Sequence, residues 1–297
     1  MHTPEHSGTR VVTVDGSDVI ECTGCGFKHV MPLPTPEVLK TFYEDEFYQE
    51  ERKDYFKEVE EDKDWWMLTY NHYYDLLEKH TKGRKLLDIG SGPGLFLECG
   101  NARGWQTLGF EPSPRAGEYA RSLGCEVVTD FFTAEQAKRY GPFDAITLNF
   151  VLEHVPNPTE LIAQARSLLA PGGVLLVVSP NDFNPLQKLL VEHHGYTSWW
   201  VVPKHHLNYF DIESASRLLV SRDMAVIERE ATYPLELFLL SGRNYVEHPE
   251  LGRVCHSERK AFESALYRHK SDLIQKMFID WAKQGIGREV VSISKKG

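Results

Sequence analysis

A short apolar strand that leads straight into a glycine-rich turn constrains this 297-residue chain more than any other feature. Residues 85–97 read KLLDIGSGPGLFL. Gly90 and Gly92 let the backbone take tight or positive-φ conformations and come close to a ligand, because no Cβ stands in the way. The helix that begins after the turn presents unpaired N–H groups and the positive end of its dipole. The stretch therefore predicts the ligand-binding turn of an α/β fold.

Three further signals follow this turn along the chain. The apolar run 107–110 ends in Glu111, and an acidic residue at the tip of the next strand typically holds the ribose hydroxyls of a nucleoside. The run 143–149 precedes a Leu-Glu-His-Val segment at 152–155, and a long apolar run around Pro-Gly-Gly covers 168–178. Together these signals predict a nucleoside-binding α/β domain.

In this order and spacing, the four motifs resemble those of class I S-adenosylmethionine-dependent methyltransferases over roughly residues 60 to 230. A dinucleotide-binding oxidoreductase is the alternative for the glycine turn alone. That class typically shows G-x-G-x-x-G, whereas Leu95 and Phe96 follow Gly94 here. The resemblance implies S-adenosyl-L-methionine as the cofactor.

Alternation of strand and helix signals predicts a parallel sheet with helices on both faces, a Rossmann-like α/β fold. The resemblance implies seven strands, the last of which runs antiparallel between the fifth and the sixth. We expect the strands at 85–89, 106–110, 125–129, 143–148, 173–179, 223–230 and 288–294. We expect the helices among the first five strands at about 94–103, 114–123, 133–140 and 157–170.

Polar side chains fall at four consecutive strand ends, which core packing would not produce. The resemblance implies that Asp88 orients the glycine loop or accepts from the methionine amino group, and that Glu111 takes the ribose hydroxyls. It places Asp130 with Phe131 at the adenine, and Asn149 with Phe150 at the methionine end. The expected cofactor-binding set is Asp88, Gly90, Ser91, Gly92, Gly94, Phe96, Glu111, Pro112, Asp130, Phe131, Asn149 and Phe150.

The first 36 residues predict a small module of their own. Residues 11–31 read as a β-hairpin, and its return strand carries the C-x2-C pair Cys22 and Cys25. With His2 and His6 upstream, the four side chains predict a tetrahedral zinc site. The segment resembles the N-terminal zinc ribbon of some small-molecule methyltransferases, with the first cysteine pair replaced. The alternative is a hairpin with two free thiols and a mobile His2.

Prolines at 32, 34 and 36 mark a linker between this module and a helical cap over 37–84. The acidic, aromatic part of the cap, 44–64, is either a solvated helical face or a cover over the cofactor. The remaining residues, 85–297, form the expected methyltransferase domain, with a helical insertion at about 234–287. One long helix from about Ser257 to Lys283 is expected there, as a lid or as the contact of a homodimer.

Methyl transfer to a hydroxyl group benefits from a base with a pKa near neutral, which histidine supplies. The candidates are His154, His205 and His206, with His193 and His194 behind them. His154 is either the base or a residue that orders its loop, and at most one of the adjacent pair should face the acceptor. We expect the acceptor site to form from residues 182–210 and the insertion.

Composition narrows the function further. A formal net charge of −10 argues against a large non-specific nucleic-acid surface, and no apolar run predicts a membrane span or a signal peptide. Five cysteines fit a reducing cytoplasm. The resemblance to small-molecule methyltransferases implies an O-methyltransferase acting on a sugar or a secondary metabolite, and the composition leads us to expect it in the cytoplasm. A protein or nucleic-acid methyltransferase and a catalytically silent cofactor-binding protein are the alternatives.

Overall fold

A computed structural model of the protein describes residues 6–41 and 54–296. The predicted ligand His2 and residues 42–53 of the predicted cap lie outside the described residues. The strands are β1 (Gly8–Val14), β2 (Ser17–Cys22), β3 (Lys28–Met31), β4 (Lys85–Ile89), β5 (Gln106–Phe110), β6 (Val127–Val128), β7 (Phe143–Asn149), β8 (Leu169–Pro180), β9 (Asn208–Tyr209), β10 (Met224–Ala231) and β11 (Glu289–Lys296). The helices are α1 (Pro36–Thr41), α2 (Tyr55–His80), α3 (Leu95–Ala102), α4 (Pro114–Ser122), α5 (Ala134–Ala137), α6 (Pro158–Leu168), α7 (Pro185–His194), α8 (Ile212–Val220), α9 (Glu236–Leu240), α10 (Pro249–His269) and α11 (Ser271–Lys283).

Seven strands form the main sheet in the order β10-β11-β8-β7-β4-β5-β6. The pairs among β4, β5, β6, β7 and β8 are parallel, whereas β11 runs antiparallel to both β8 and β10. The predicted seven-stranded α/β fold, including the place of its last strand, is therefore confirmed. The chain runs from β4 outward to β5 and β6 and then crosses back to β7 on the other side of β4, which places the topological switch point between the carboxyl ends of β4 and β7.

The central strands are apolar at successive positions because helices cover both faces of the sheet. Leu87, Ile146 and Leu175 belong to the core on one face. Their chain neighbours Leu86, Ala145 and Leu176 belong to the core on the other face. All six side chains are fully buried, so the sheet is fixed in register and its strand ends are held rigidly.

The N-terminal residues build a second sheet, in which the predicted hairpin was wrong in one respect. The hairpin predicted at 11–31 has one continuous return strand, but the C-x2-C turn divides it into β2 and β3. The sheet has the order β1-β2-β3-β9. Its fourth strand, β9, comes from the segment directly after the histidine pair, and His29 lies opposite Asn208. The Val30 N–H also donates to the Leu207 carbonyl at 2.9 Å. The N-terminal sheet is thus joined to the predicted acceptor loop.

Helices α10 and α11 replace the single long helix that the sequence predicted at 257–283. The chain leaves the helical region at Lys270, with φ −150° and ψ 51°, and a second helix begins at Ser271. The break lets α10 pack on α2 while α11 packs on β10. No helix within the two described stretches is both long and apolar enough to cross a membrane. The division of the chain at residues 36 and 84 stays a prediction.

A buried ionic network fastens the insertion to the rest of the fold. The Arg259 guanidinium on α10 donates to Glu263 at 3.3 Å and to Glu289 on β11 at 3.0 Å. The Trp65 indole N–H, on α2, donates to Glu263 at 2.8 Å. One arginine therefore compensates two carboxylates and links α10, α2 and β11.

Replacing this arginine tests how strongly the network holds the insertion. We expect Arg259→Ala to lower the free energy of unfolding by about 3–5 kcal/mol, because it leaves uncompensated carboxylates in the interior. Urea denaturation measures the change, with Arg268→Ala, at an exposed position of the same helix, as the control. Equal stabilities of the two variants would show that the network contributes nothing.

Candidate active site

One large cavity lies over the carboxyl ends of β4, β5, β7 and β8, with a volume of about 1100 Å³. Its floor is the strand ends, and its walls come from α2, from the segment 205–206 and from α10. Of the expected cofactor-binding set, the structure places ten residues on this cavity: Asp88, Gly90, Ser91, Gly92, Phe96, Glu111, Pro112, Phe131, Asn149 and Phe150. Gly94 and Asp130 do not line it.

The glycine turn is shaped as its sequence suggests. Gly90 and Gly92 both have positive φ, at 73° and 52°. A Cβ on Gly90 would lie 2.8 Å from a methyl group of Val151, so this position requires glycine for space as well as for backbone conformation. Gly94 has φ 80°, and its Cβ would lie 2.6 Å from that of Ala120. Gly94 therefore serves the packing of α3 on α4 and not the cavity surface.

Glu111 connects the end of β5 to the glycine turn, a contact that the sequence did not reveal. Its carboxylate accepts the Gly92 N–H at 2.9 Å and the Ser113 N–H at 2.9 Å. Each carboxylate oxygen keeps a further lone pair, so both can also accept from a ligand. Burial raises the pKa of Glu111 to about 7, while the two backbone N–H groups oppose the rise.

Polar atoms around Asp88 fit the polar end of an amino-acid ligand. The buried Asp88 carboxylate accepts from the Thr147 hydroxyl at 2.6 Å, and burial raises its pKa to about 7. Among the described residues, the Ser91 hydroxyl and the Asn149 amide oxygen are buried without a hydrogen-bond partner. Buried polar atoms normally have partners, so these two are positioned to receive a ligand's polar groups.

Aromatic side chains line the rest of the cofactor end. Phe131 was predicted, and Phe132, which packs edge-on against Phe110 at 5.6 Å between ring centroids, was not. Asp130 is exposed, and it accepts from the Gln136 amide at 2.7 Å. Asp130 does not line the cavity, and the adenine contact predicted for it stays a prediction.

Helix α2 supplies aromatic cover over the same end. Trp66 and Tyr70 stack at 5.3 Å between ring centroids, and Tyr70 meets Phe96 edge-on at 5.2 Å. Both α2 residues line the cavity, whereas Tyr73 and Tyr74 are buried in the core.

The other end of the cavity holds a cluster of histidines and a carboxylate. His154, His205 and His206 all line it together with Glu153, and the rings of His154 and His206 lie 5.0 Å apart. His193 is exposed on α7 and does not line the cavity, and the same holds for its neighbour His194. These two lower-ranked candidates for the base therefore lie outside the cavity.

The hydrogen bond of His154 fixes its tautomer. Its Nδ1 lies 2.8 Å from the His205 carbonyl oxygen, which can only accept, so Nδ1 carries the hydrogen and Nε2 the lone pair. Burial lowers the pKa of His154 to about 4 and that of His206 to about 2. Burial also raises the pKa of Glu153 to about 8. Both imidazoles are therefore neutral at pH 7, and they are weaker bases than free histidine unless a neighbouring negative charge raises their pKa.

Asn208 holds the two histidine segments together. Its side-chain amide donates to the Leu152 carbonyl at 2.8 Å and to the Val155 carbonyl at 2.7 Å. The backbone N–H groups of Leu207 and Asn208 donate to the Glu153 carbonyl at 2.6 and 3.1 Å. The loop after β7 and the segment before β9 thus form one rigid unit.

Two groups of side chains, among the residues that the structure describes, could hold a metal ion. Glu153, His154 and His206 form one of them, at the histidine end of the cavity. The other contains the predicted ligands His6, Cys22 and Cys25. Its fourth member is His29, which the sequence analysis missed although it follows Cys25 at C-x3-H spacing.

A family model described as a methyltransferase domain matches residues 68–229, which is more than half of the chain. The chain belongs to this methyltransferase family. Family membership confirms the class predicted from the four motifs, and with it S-adenosyl-L-methionine as the cofactor. The polar and aromatic cavity at the switch point fits that cofactor, since its end of the cavity offers acceptors for hydroxyl and amino groups.

Named relatives cover only part of the chain. The ubiquinone biosynthesis O-methyltransferase of Caulobacter sp. (strain K31) is 35% identical over 133 residues, which are 42% of this chain and 52% of that protein. The enzyme of the same name from Xanthomonas axonopodis pv. citri (strain 306) is 39% identical over 108 residues, 33% of this chain and 44% of that protein. The chain therefore spans about half the length of these relatives.

Solved structures share the fold at low sequence identity. A SAM-dependent methyltransferase from Archaeoglobus fulgidus is 17% identical with a TM-score of 0.52, and the match covers 82% of this chain and 99% of that one. Magnesium protoporphyrin IX methyltransferase from Synechocystis PCC 6803 is 9% identical with a TM-score of 0.54, covering 89% and 100%. At these identities the likeness shows the fold.

Replacing Glu111 tests the cofactor end of the cavity. We expect Glu111→Ala to weaken the binding of S-adenosyl-L-homocysteine by about 1–3 kcal/mol, because a charged hydrogen-bond acceptor is lost. Isothermal titration calorimetry measures the affinity. Asp130→Ala is the matched control, since that residue does not line the cavity. Unchanged affinity in a folded Glu111 variant would remove this residue from the site.

The raised pKa of Glu111 predicts how cofactor affinity depends on pH. Ribose hydroxyls that donate to the carboxylate favour its ionised form, so binding lowers the pKa from about 7 and releases a proton. Affinity for S-adenosyl-L-homocysteine should therefore fall below pH 7, by up to about tenfold per pH unit. Calorimetry in buffers of different ionisation enthalpy detects the released proton.

Glu111→Gln provides the control, because it keeps the shape but cannot titrate. Asp88, also with a pKa near 7, contributes its own part to the profile, so the slope should shrink in this variant and not vanish. Identical slopes in the variant and in the unmodified protein would show that Glu111 binds the ligand without a change of protonation.

Proposed function

We propose that the protein transfers the methyl group of S-adenosyl-L-methionine to a hydroxyl group of a small molecule, with a neutral histidine taking the hydroxyl proton. The observation that carries the proposal is the cluster of His154, His206 and Glu153 beside Asn149 and Phe150, where the cofactor end meets the rest of the cavity. The names of the relatives, O-methyltransferases of ubiquinone biosynthesis, support the same reaction class.

The cofactor supplies a methyl group on a sulfonium leaving group, so the protein has mainly to align the acceptor and remove one proton. His154 Nε2 carries a lone pair because Nδ1 is committed to the His205 carbonyl. Glu153 Oε1 lies 3.8 Å from that Nε2. Burial keeps the Glu153 carboxyl mostly protonated at pH 7, so its carboxylate stabilises an imidazolium on His154, and favours transfer of the proton to this histidine, as the pH rises through about 8.

The enclosure of the cavity supports a small acceptor. A volume of about 1100 Å³ is at the upper end of single-ligand sites, so it accommodates the cofactor together with a second molecule. Trp66 of α2 and Arg259 of α10 both line it, so two helices stand over the strand ends. A folded protein or a duplex would have to displace these helices to reach the histidines.

The sequence placed the acceptor site in residues 182–210 and the insertion. Our proposal keeps only the residues of these segments that line the cavity. His205 and His206 represent the first segment on the cavity wall, and α10 contributes Arg253, His256, Arg259 and Lys260. Arg288 also lines this end, where its guanidinium lies 3.8 Å from the buried Asp182 carboxylate. Neither Arg288 nor Glu153 was among the expected site residues. The homodimer expected through the insertion stays a prediction.

The direct test is a screen of acceptors for S-adenosyl-L-homocysteine release, with phenols, catechols and sugars set against amine and thiol analogues of the same compounds. We expect product only from hydroxyl acceptors, identified by mass spectrometry as methyl ethers. Turnover of amine analogues with none of the hydroxyl compounds would overturn the proposal.

Single replacements of the histidines test the proton acceptor. We expect His154→Ala or His206→Ala to lower kcat by roughly 10²–10⁴ with the affinity for S-adenosyl-L-homocysteine unchanged. His193→Ala, exposed on α7, is the control and should keep full turnover. Near-native kcat in both cluster variants would leave alignment alone to account for the rate.

Treatment with a chelator distinguishes a histidine base from a metal ion bound by the same three side chains. Turnover that survives EDTA agrees with a histidine base acting directly. Loss of turnover that Mg²⁺ restores would instead assign Glu153, His154 and His206 to a divalent cation that lowers the pKa of the bound hydroxyl.

A further inference from the structure

We propose that His6, Cys22, Cys25 and His29 form a structural zinc site, and that this site positions the histidine segment of the active site through the N-terminal sheet. The four donor atoms lie within 4.8 Å of one another. They are two thiols and two imidazoles, the Cys2His2 set that is typical of closed structural zinc sites. The metal part of the proposal is independent of the reaction proposed above.

Distances within the group match a tetrahedron around one ion. His6 Nδ1 lies 3.1 Å from His29 Nε2, 3.4 Å from Cys25 Sγ and 4.0 Å from Cys22 Sγ. Zinc bonds of about 2.3 Å to sulfur and about 2.0–2.1 Å to nitrogen give tetrahedral edges of roughly 3.3–3.8 Å. A single hydrogen bond between the two imidazoles would explain the first distance but not the approach of both sulfur atoms.

His29 is held as metal-ligating histidines usually are. Its Nδ1 lies 2.9 Å from the Val30 carbonyl oxygen, which can only accept, so Nδ1 carries the hydrogen. The lone pair is then on Nε2, the atom that faces His6. A backbone carbonyl that fixes the tautomer of the ring is the usual outer partner of a zinc-bound histidine. His29 is also 1% exposed, so the ring cannot swing into solvent.

The turn between the cysteines has the form of a metal knuckle. The Gly26 N–H donates to the Cys22 carbonyl at 2.9 Å, and Gly26 has φ 77°, a conformation that favours glycine. On binding, each thiol loses its proton to solvent, and the two thiolates neutralise the charge of Zn²⁺. A neutral, closed site suits a partly buried position such as this one.

A path of direct contacts leads from this group to the active site. His29 lies on β3 opposite Asn208 of β9. Asn208 in turn holds the loop of Glu153 and His154 through two side-chain hydrogen bonds. Phe27, between the knuckle and β3, packs on Phe210 at 5.0 Å between ring centroids. A metal ion that holds β3 in place therefore also holds β9, the strand that carries Asn208.

Zinc analysis of untagged protein tests the first part of the proposal. We expect about one zinc ion per chain by elemental analysis. Metal-free protein should take up Co²⁺ with the absorption bands of tetrahedral thiolate coordination. Less than about a tenth of an equivalent of zinc, together with no such spectrum, would overturn the site.

Variants identify the ligands. His29→Asn and Cys25→Ser should lose the zinc, whereas the controls His2→Asn and Cys255→Ser should keep it, since Cys255 lies on α10. Loss of zinc from His2→Asn with retention in His29→Asn would overturn the assignment of His29. Co²⁺ titration of the metal-free wild type supplies the result if a variant fails to fold.

Hydrogen exchange tests the positioning role without an activity assay. Removing zinc from the wild type should speed amide exchange in 150–156 and 205–210 and leave exchange in the glycine turn, 88–94, unchanged. The affinity for S-adenosyl-L-homocysteine should also be unchanged. Zinc removal that alters none of these segments would confine the metal to the N-terminal sheet and overturn the positioning role.

Discussion

Burial of β4 on both faces is the constraint on which the rest of the structure depends. Leu86 and Leu87 point into different cores, so the strand can neither rotate nor slip by one residue without exposing one of them. Its carboxyl end is then a fixed point, and β5 and β7 diverge from it. This strand therefore determines the positions of the glycine turn, Glu111 and the loop after β7.

A second level of order comes from hydrogen bonds between loops. The loop carrying Glu153 and His154 has no regular structure, yet the Asn208 amide and two backbone N–H groups tie it to the segment before β9. Loops usually carry function on a rigid scaffold, and here the scaffold of one loop is a second loop stiffened by the N-terminal sheet. This explains how residues far apart in the sequence reach one cavity wall.

Local signals predicted the fold well because each βα unit carries its own pattern of apolar residues, glycines and caps. They also predicted that Glu111, Gly90 and Gly92, which follow strand ends, lie together at one site, and these residues do line the cavity. They missed His29 although it follows Cys25 at C-x3-H spacing. They also missed Asn208 and Arg288, whose partners lie on other elements, and no local pattern encodes such contacts. The break at Lys270 was missed for the same reason, because both halves of 257–283 are helical and only the packing of α10 and α11 separates them.

Buried acidic residues at and near the cavity lower the folding stability of the protein. Burial raises the pKa of Asp88, Glu111 and Asp182 to about 7 and that of Glu153 to about 8, well above the values of the unfolded chain. Between about pH 4 and 7 these four carboxyls bind more protons in the folded protein than in the unfolded chain, so their contribution to stability falls as the pH rises through that window, whereas the lowered pKa values of His154 and His206 act in the opposite direction. Evolution retains such destabilising groups where a ligand compensates them. Hydroxyl and ammonium groups of a bound ligand supply that compensation, so binding and folding stability are coupled in this protein.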